Sequence, residues 1–198
     1  MQGAILAGGT ASRMEGAPKG LLEVGGRRIL DRLVEAFHEA LGALPLLIAN
    51  AREAPTWRPD LRVVSDIRPG TGSLGGLYTA VLAAPAPVVC VAWDMPFVPP
   101  ELIRMLAAGL DRADICIPAS GGPRGLEPLC AAYGPACGPA MAKALDRGDL
   151  RAIAFHESVR VRVLSEDALT RVAGGDPDRL WFNINTTEDL LRAEGMAQ

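Results

Sequence analysis

The sequence has few of the features that mark several common protein classes. Its 20 basic residues include only two lysines, Lys19 and Lys143, and its 23 acidic residues leave a net charge of −3. Without a basic excess the chain has little charge to neutralise a nucleic-acid backbone, so we expect no nucleic-acid partner. The apolar run of residues 81–93 contains two prolines and is too short for a membrane helix, and the N-terminus lacks a signal-peptide pattern. We therefore expect a cytoplasmic protein with no membrane partner.

Disulfide and zinc-binding patterns are also missing. None of the four cysteines lies in a C-x-x-C pair or has a histidine at ligand spacing. We interpret them as small buried hydrophobic residues in a reducing compartment. Hydrophobic residues make up 49% of the chain, which is enough for a full core and excludes a disordered protein.

Strand and helix patterns alternate along the chain. Apolar runs predict strands at 3–7, 46–49, 62–65, 87–93, 114–118, 129–133 and, half-exposed, 159–164. Helical spacing predicts helices at 29–41, 74–82, 138–145 and 187–196, and another from Pro99 onward. This alternation predicts an α/β fold in one domain, residues 1–198, with a mostly parallel central sheet and helices on both faces. Ligands of such folds bind beyond the carboxyl ends of the strands.

A glycine-rich loop follows the first predicted strand. The chain reads Leu6-Ala7-Gly8-Gly9-Thr10 and continues to Arg13 and Lys19. Glycines let backbone N–H groups approach a phosphate closely, and the two cations would add positive charge. The chain has no Gly-Lys dipeptide, which excludes a Walker A loop. The structural alternative is a surface loop with two solvated cations.

Asp94 lies at the end of the strongest strand, in the motif Ala92-Trp93-Asp94-Met95-Pro96. Mg²⁺ prefers one or two carboxylates together with phosphate oxygens, so a carboxylate at this position is a candidate metal ligand. A helix cap is the alternative, but four residues separate Asp94 from the helix predicted at Pro99.

A second glycine motif lies within Gly70-Thr71-Gly72-Ser73-Leu74-Gly75-Gly76, which matches G-x-G-x-x-G with an acidic residue, Asp94, about 20 positions later. A nicotinamide-dependent oxidoreductase is therefore an alternative. Against it, four residues including Pro69 separate the glycines from the preceding strand, and this fingerprint belongs near the first strand.

Taken together, the motif L-A-G-G-x-x-x-R-M with a following lysine, the D-x-P motif at Asp94 and the C-terminal N-x-N-T-x-E-D-L pattern resemble a known family. They are typical of nucleotidyltransferases that use a nucleoside triphosphate, and they resemble the molybdenum cofactor guanylyltransferases over nearly the whole chain. That family transfers GMP from GTP to the phosphate of molybdopterin and releases pyrophosphate. The resemblance implies a Rossmann-like three-layer sandwich of the nucleotide-diphospho-sugar transferase type.

The resemblance also implies roles for individual residues. The nucleotide-binding set is Leu6, Ala7, Gly8, Gly9, Lys19, Asn50, Asp66 and Asp94. The catalytic set is Arg13, Lys19 and Asp94, with Asp94 as the ligand of Mg²⁺, and the acceptor-binding set is Arg124, Asn183 and Asn185. Asp66 has a physical basis for choosing guanine, because a carboxylate accepts hydrogen bonds from N1–H and the 2-amino group. Thr186 and Asp189 are predicted to form a capping box at the start of the last helix.

The implied partners are GTP and molybdopterin or Mo-molybdopterin, with transient contact to molybdenum cofactor biosynthesis proteins or client molybdoenzymes. The chain departs from the family where Ser73 replaces the usual proline and Gly75 the usual alanine. A CTP-dependent cytidylyltransferase, a nucleotidyltransferase for another small acceptor and a non-catalytic nucleotide-binding regulator therefore stay open.

Overall fold

A seven-stranded sheet forms the centre of the fold. The computed structural model describes residues 1–8, 18–120 and 125–197, so Gly9, Arg13 and Arg124 lie outside the described residues. The strands are β1 (Gln2–Ala7), β2 (Glu23–Val24), β3 (Arg27–Arg28), β4 (Leu46–Ala49), β5 (Val63–Val64), β6 (Val88–Ala92), β7 (Ile115–Pro118), β8 (Cys130–Tyr133) and β9 (Val161–Leu164). The helices are α1 (Ile29–Leu41), α2 (Ala54–Trp57), α3 (Gly72–Ala83), α4 (Pro100–Ala108), α5 (Cys137–Asp146), α6 (Glu166–Val172) and α7 (Thr187–Met196).

The strand order of the sheet is β5-β4-β1-β6-β8-β7-β9. β1 is parallel to β4 and β6, β4 is parallel to β5, and β7 is parallel to β9. β8 alone runs antiparallel to its neighbours β6 and β7 within the described sheet. The carboxyl ends of β1, β4, β5 and β6 therefore meet at one edge of the sheet, which is where the fold predicts a ligand.

Helices cover both faces of this sheet, and the alternation of side chains in β1 shows why. Ile5 and Ala7 point into a core packed by α1 and α4, whereas Ala4 and Leu6 point into a core packed by α3 and α5. Gly3 lets α1 approach closely, since a Cβ there would lie 2.5 Å from the Phe37 ring. The predicted three-layer, mostly parallel α/β sandwich is confirmed.

Several details differ from expectation. Helices α2 and α6 lie where the sequence predicted none. β2 and β3 form a separate hairpin, whose turn consists of Gly25 and Gly26 with φ of 59° and 71°. A Gly-Gly pair between two short segments is the sequence pattern that indicates such a turn. In β9, an edge strand, the apolar positions are exposed as well as the arginines: Val161 and Val163 expose 37% and 50% of their surface. Within the described ranges, no helix has both the length and the apolar character needed to cross a membrane.

Candidate active site

A cavity of about 440 Å³ opens at the carboxyl edge of the sheet. This volume lies within the usual range for small-molecule sites. The nucleotide-binding residues expected from the sequence line it wherever the structure describes them. The lining residues are Leu6, Ala7, Gly8, Lys19, Ile48, Asn50, Asp66, Gly70, Gly72, Ser73, Gly76, Ala92, Asp94 and Leu129.

Lys19 connects two distant parts of the chain inside this cavity. Its Nζ donates to Asp94 Oδ2 at 3.2 Å and to Asn185 Oδ1 at 2.7 Å. The Lys19 and Asp94 side chains keep only 12% and 18% of their surface exposed. A cation and a carboxylate thus line one part of the cavity, and the Asn185 amide, which is not in the lining, contacts this cation.

A glycine beside Lys19 fixes the position of this lysine. Lys19 opens a short 3-10 turn, Lys19–Leu21, and a Cβ on Gly20 would lie 2.4 Å from the Trp93 ring. Trp93 in turn stacks on Trp57, with ring centroids 5.2 Å apart. Because Trp93 immediately precedes Asp94, one packed aromatic pair supports both members of the ion pair.

The C-terminal segment is attached to Asp94 through the backbone. Ile184 N donates to Asp94 O at 2.9 Å, and the expected capping box is present: Asp189 N donates to Thr186 Oγ1 while Asp189 Oδ2 accepts from Thr186 N. Asp189 Oδ2 also accepts from Asn185 N. These bonds present the Asn185 side chain to Lys19.

Asn183 has a different environment from Asn185. Its Nδ2 donates to Trp181 O at 2.8 Å, so the amide is bonded within its own segment. Of the two asparagines expected at the acceptor, the structure brings Asn185 to the Lys19–Asp94 pair.

At the other end of the cavity, Asn50 and Asp66 form a two-bond pair. Asn50 Nδ2 donates to Asp66 Oδ2 at 2.6 Å, and Asp66 N donates to Asn50 Oδ1 at 2.8 Å. The other carboxylate oxygen, Oδ1, lies 4.0 Å from where a Cβ of Gly76 would be. The absence of a side chain at Gly76 leaves room beside an acceptor that can receive hydrogen bonds.

Glu127 is a candidate functional residue that the sequence motifs did not identify. Burial raises the pKa of its carboxyl group; the N–H of Leu129 opposes this, and the neighbouring Asp94 carboxylate adds to it. Glu127 Oε1 accepts from Leu129 N at 3.3 Å, and Leu129 lines the cavity. The signal in the sequence was a carboxylate between apolar residues just before a buried strand.

The second glycine motif does not have the setting of a dinucleotide fingerprint. α3 begins at Gly72, but β5 ends at Val64, and β5 is the edge strand of the sheet. The departure at Gly75 has a steric reason, because a Cβ there would lie 2.0 Å from Thr71 Oγ1. The Thr71 hydroxyl occupies the space that an alanine methyl group would need.

Asp94 fits a divalent metal ion that arrives with a nucleotide. Among the described residues, no group of three or more His, Cys, Asp and Glu side chains is arranged to hold a metal. A single carboxylate is nonetheless the usual protein share of a Mg²⁺ site in which phosphates and water supply the other ligands. The carboxylate of Asp94 is compatible with a divalent cation that takes phosphate oxygens and water as its other ligands.

Comparisons with known proteins identify the family of the chain. The family model described as the MobA-like NTP transferase domain matches residues 3–161. A protein of Pelotomaculum thermopropionicum named "Probable molybdenum cofactor guanylyltransferase" is 37% identical over 99% of this chain and 93% of its own length. A "Molybdenum cofactor guanylyltransferase" of Desulfosudis oleivorans is 31% identical over 97% of this chain and 93% of its own.

A solved structure extends the similarity to three dimensions. The molybdopterin-guanine dinucleotide biosynthesis protein A of Archaeoglobus fulgidus superposes with a TM-score of 0.82 at 25% identity, covering 99% of this chain and 98% of the other. The sequence and structural similarities agree on a nucleotidyltransferase. The chain therefore belongs to the family of MobA-like NTP transferase domains.

Proposed function

We propose that this enzyme transfers GMP from GTP to the phosphate of molybdopterin or Mo-molybdopterin and releases pyrophosphate. The observation that carries the proposal is the contact of Lys19 with both Asp94 and Asn185 at one end of a cavity whose other end holds the Asn50–Asp66 pair. The names of the relatives from Pelotomaculum and Desulfosudis support the same reaction.

The base end of the cavity favours guanine on chemical grounds. An ionised carboxylate only accepts hydrogen bonds, and guanine offers two adjacent donors, N1–H and the 2-amino group. Cytosine and adenine each place a ring nitrogen acceptor beside their single amino group, so one oxygen of Asp66 would face a lone pair. This contrast supports GTP over CTP and ATP.

Catalysis at the phosphate end of the cavity depends on positioning and charge more than on proton transfer. The acceptor phosphate is already anionic at neutral pH, so one of its oxygens attacks the α-phosphorus in line without a general base. The new O–P bond forms as the bond between the α-phosphorus and the bridging oxygen to the β-phosphorus breaks, and that oxygen leaves with pyrophosphate. Lys19 lies where it can stabilise the developing negative charge, a role that we extend to Arg13.

The remaining residues hold the substrates. Leu6, Ala7 and Gly8 line the cavity at the end of β1, where their backbone groups can contact the nucleotide. Asp94 would hold Mg²⁺, which supplies Lewis-acid stabilisation of phosphate oxygens when bound. We assign Asn185, Arg124 and Asn183 to the acceptor, and the contact of Asn185 with Lys19 supports this assignment for Asn185.

The reducing cytoplasm is the compartment that we propose for this reaction. Cys90, Cys116, Cys130 and Cys137 are buried free thiols, as expected in that setting. Because the product is a cofactor for other enzymes, we also expect transient contact with molybdenum cofactor biosynthesis proteins or client molybdoenzymes.

The test is pyrophosphate release in the presence of Mg²⁺ and molybdopterin, with GTP, CTP, ATP or UTP as donor. We expect release with GTP and only background release with the others. A preference for CTP would keep the mechanism but replace the proposed product with a cytosine dinucleotide. Binding of nucleotide without pyrophosphate release would indicate a non-catalytic binding protein.

A further inference from the structure

A buried threonine attaches the loop of Asp66 to α3. Thr79 is completely buried. Aromatic residues and cysteines aside, it is the one polar or charged residue in the described part of the chain that is buried. Its Oγ1 donates to Gly75 O at 2.8 Å and accepts from Ile67 N at 3.0 Å. A hydroxyl can make both bonds at once, since it has one donor and two acceptor lone pairs.

We propose that Thr79 is a positioning residue for Asp66, and that its hydroxyl sets how strictly the site distinguishes guanine from other bases. Thr79 is not among the residues that line the cavity, so it acts through the backbone of Ile67, the residue next to Asp66. This inference rests on the proposed role of Asp66 in the GTP-dependent reaction.

The loop needs such an attachment because the strand before it is short. β5 has two residues, so the sheet holds little of the chain that leads into Asp66. Asn50 orients the Asp66 carboxylate from the β4 side, and Thr79 holds the following peptide from the α3 side. Two hydrogen bonds to one base edge require both carboxylate oxygens to lie within a few tenths of an ångström of their best positions.

The chemistry of position 79 supports this role. Burying a hydroxyl is unfavourable unless its hydrogen bonds are made. Valine has nearly the same shape and would fill this buried position without needing any hydrogen bond, so a threonine here indicates that the hydroxyl has a role. The hydrogen bond to the carbonyl four residues earlier does not by itself explain a threonine at position 79. Thr170 makes the same bond to Glu166 O on the more exposed helix α6. What distinguishes Thr79 is the additional bond to the loop.

The experiment compares the affinities of GTP and ITP, measured by titration calorimetry on the full chain with Mg²⁺. ITP keeps N1–H but lacks the 2-amino group, so the GTP-to-ITP affinity ratio reports how well the second hydrogen bond to Asp66 is aligned. We expect Thr79→Val to lower this ratio about tenfold, as for the loss of one hydrogen bond, with ITP affinity nearly constant. Thr79→Ser restores the ratio, because serine keeps the hydroxyl. Thr170→Val, which removes the same local bond elsewhere, leaves it unchanged.

The outcomes separate this inference from the proposed function. If Thr79→Val keeps the wild-type ratio while Asp66→Asn loses it, the role of Thr79 is refuted and that of Asp66 stands. If the wild-type protein does not prefer GTP over ITP, the guanine-selecting role of Asp66 fails, and the inference fails with it.

A second measurement applies even where Thr79→Val does not fold. In the wild-type protein we expect slow hydrogen exchange of the Ile67 amide, although the Ile67 residue is 51% exposed. Exchange of that amide at the rate of an unstructured peptide would overturn the proposal.

Discussion

Replacing Lys19 by methionine tests the proposed reaction most directly. Methionine keeps most of the length and apolar surface of the lysine stem but removes the charge that contacts Asp94 and Asn185. Because the two side chains keep only 12% and 18% of their surface exposed, the change leaves a largely buried carboxylate without its partner, and we expect the free energy of unfolding to decrease by about 3 kcal/mol. Turnover is therefore compared at a temperature at which thermal denaturation shows both proteins to be folded, so that the loss of activity reports the reaction.

The expected loss can be estimated from the site. Two unit charges about 4 Å apart near a protein surface interact by about 4 kcal/mol, which is an upper limit here since Lys19 retains 12% exposure. Removing one well-placed donor to a developing anion typically lowers the rate by about 10²- to 10³-fold, or roughly 3–4 kcal/mol. We expect a decrease of that size in kcat for pyrophosphate release.

The chain supplies its own control for this experiment. Lys143 is the second of the two lysines, and it lies exposed on α5, outside the lining of the cavity. Lys143→Met should retain wild-type turnover and thermal stability. Lys19→Arg should rescue Lys19→Met only in part, because a planar guanidinium cannot reproduce the two contacts of one ammonium group. Wild-type turnover in Lys19→Met, with saturating GTP and Mg²⁺, would refute the assigned role.

Three further changes have definite expected results. Asp94→Ala should fold with an unchanged circular dichroism spectrum but lose Mg²⁺-dependent turnover by about 10²-fold or more, and activity near wild type would rule out Asp94 as the metal ligand. Gly75→Ala should lower the free energy of unfolding by about 1–3 kcal/mol, because the new methyl group clashes with Thr71 Oγ1. Adding Thr71→Ala to that variant should recover most of the loss in denaturant titrations. Additive effects of the two substitutions would contradict the clash. Burial lowers the pKa of His156 to about 4 from 6.5, so the unfolded chain gains a proton first as the pH falls. The free energy of unfolding should therefore decrease between pH 6.5 and 4, and His156→Gln should remove this part of the pH dependence.

Local patterns were sufficient to predict the framework of this protein. β1 and β6 read as continuous apolar runs because central parallel strands are buried on both faces, and Asp94 could be selected because it follows such a strand. The capping box of Thr186 and Asp189 was recognisable because both partners lie within four residues. In each case the determining interaction is short in sequence, or its geometry follows from the rules of the fold.

The features that could not be predicted depend on residues far apart in the chain. Lys19 and Asn185 are separated by 166 positions, and no local pattern records that they meet. The hydroxyl of Thr79 resembles any helical threonine until the Ile67 amide is placed beside it. The antiparallel direction of β8 follows from the path of the chain, since the composition of a strand does not fix its direction.

The attachment of the C-terminal segment to Asp94 has a consequence for shortened forms of the chain. All residues of the cavity lining up to Asp94 precede β7. The amide partner of Lys19 is Asn185, whose segment is attached through the hydrogen bond from Ile184 N to Asp94 O. A chain that ends before Ile184 therefore keeps every residue that lines the cavity but lacks the amide partner of Lys19.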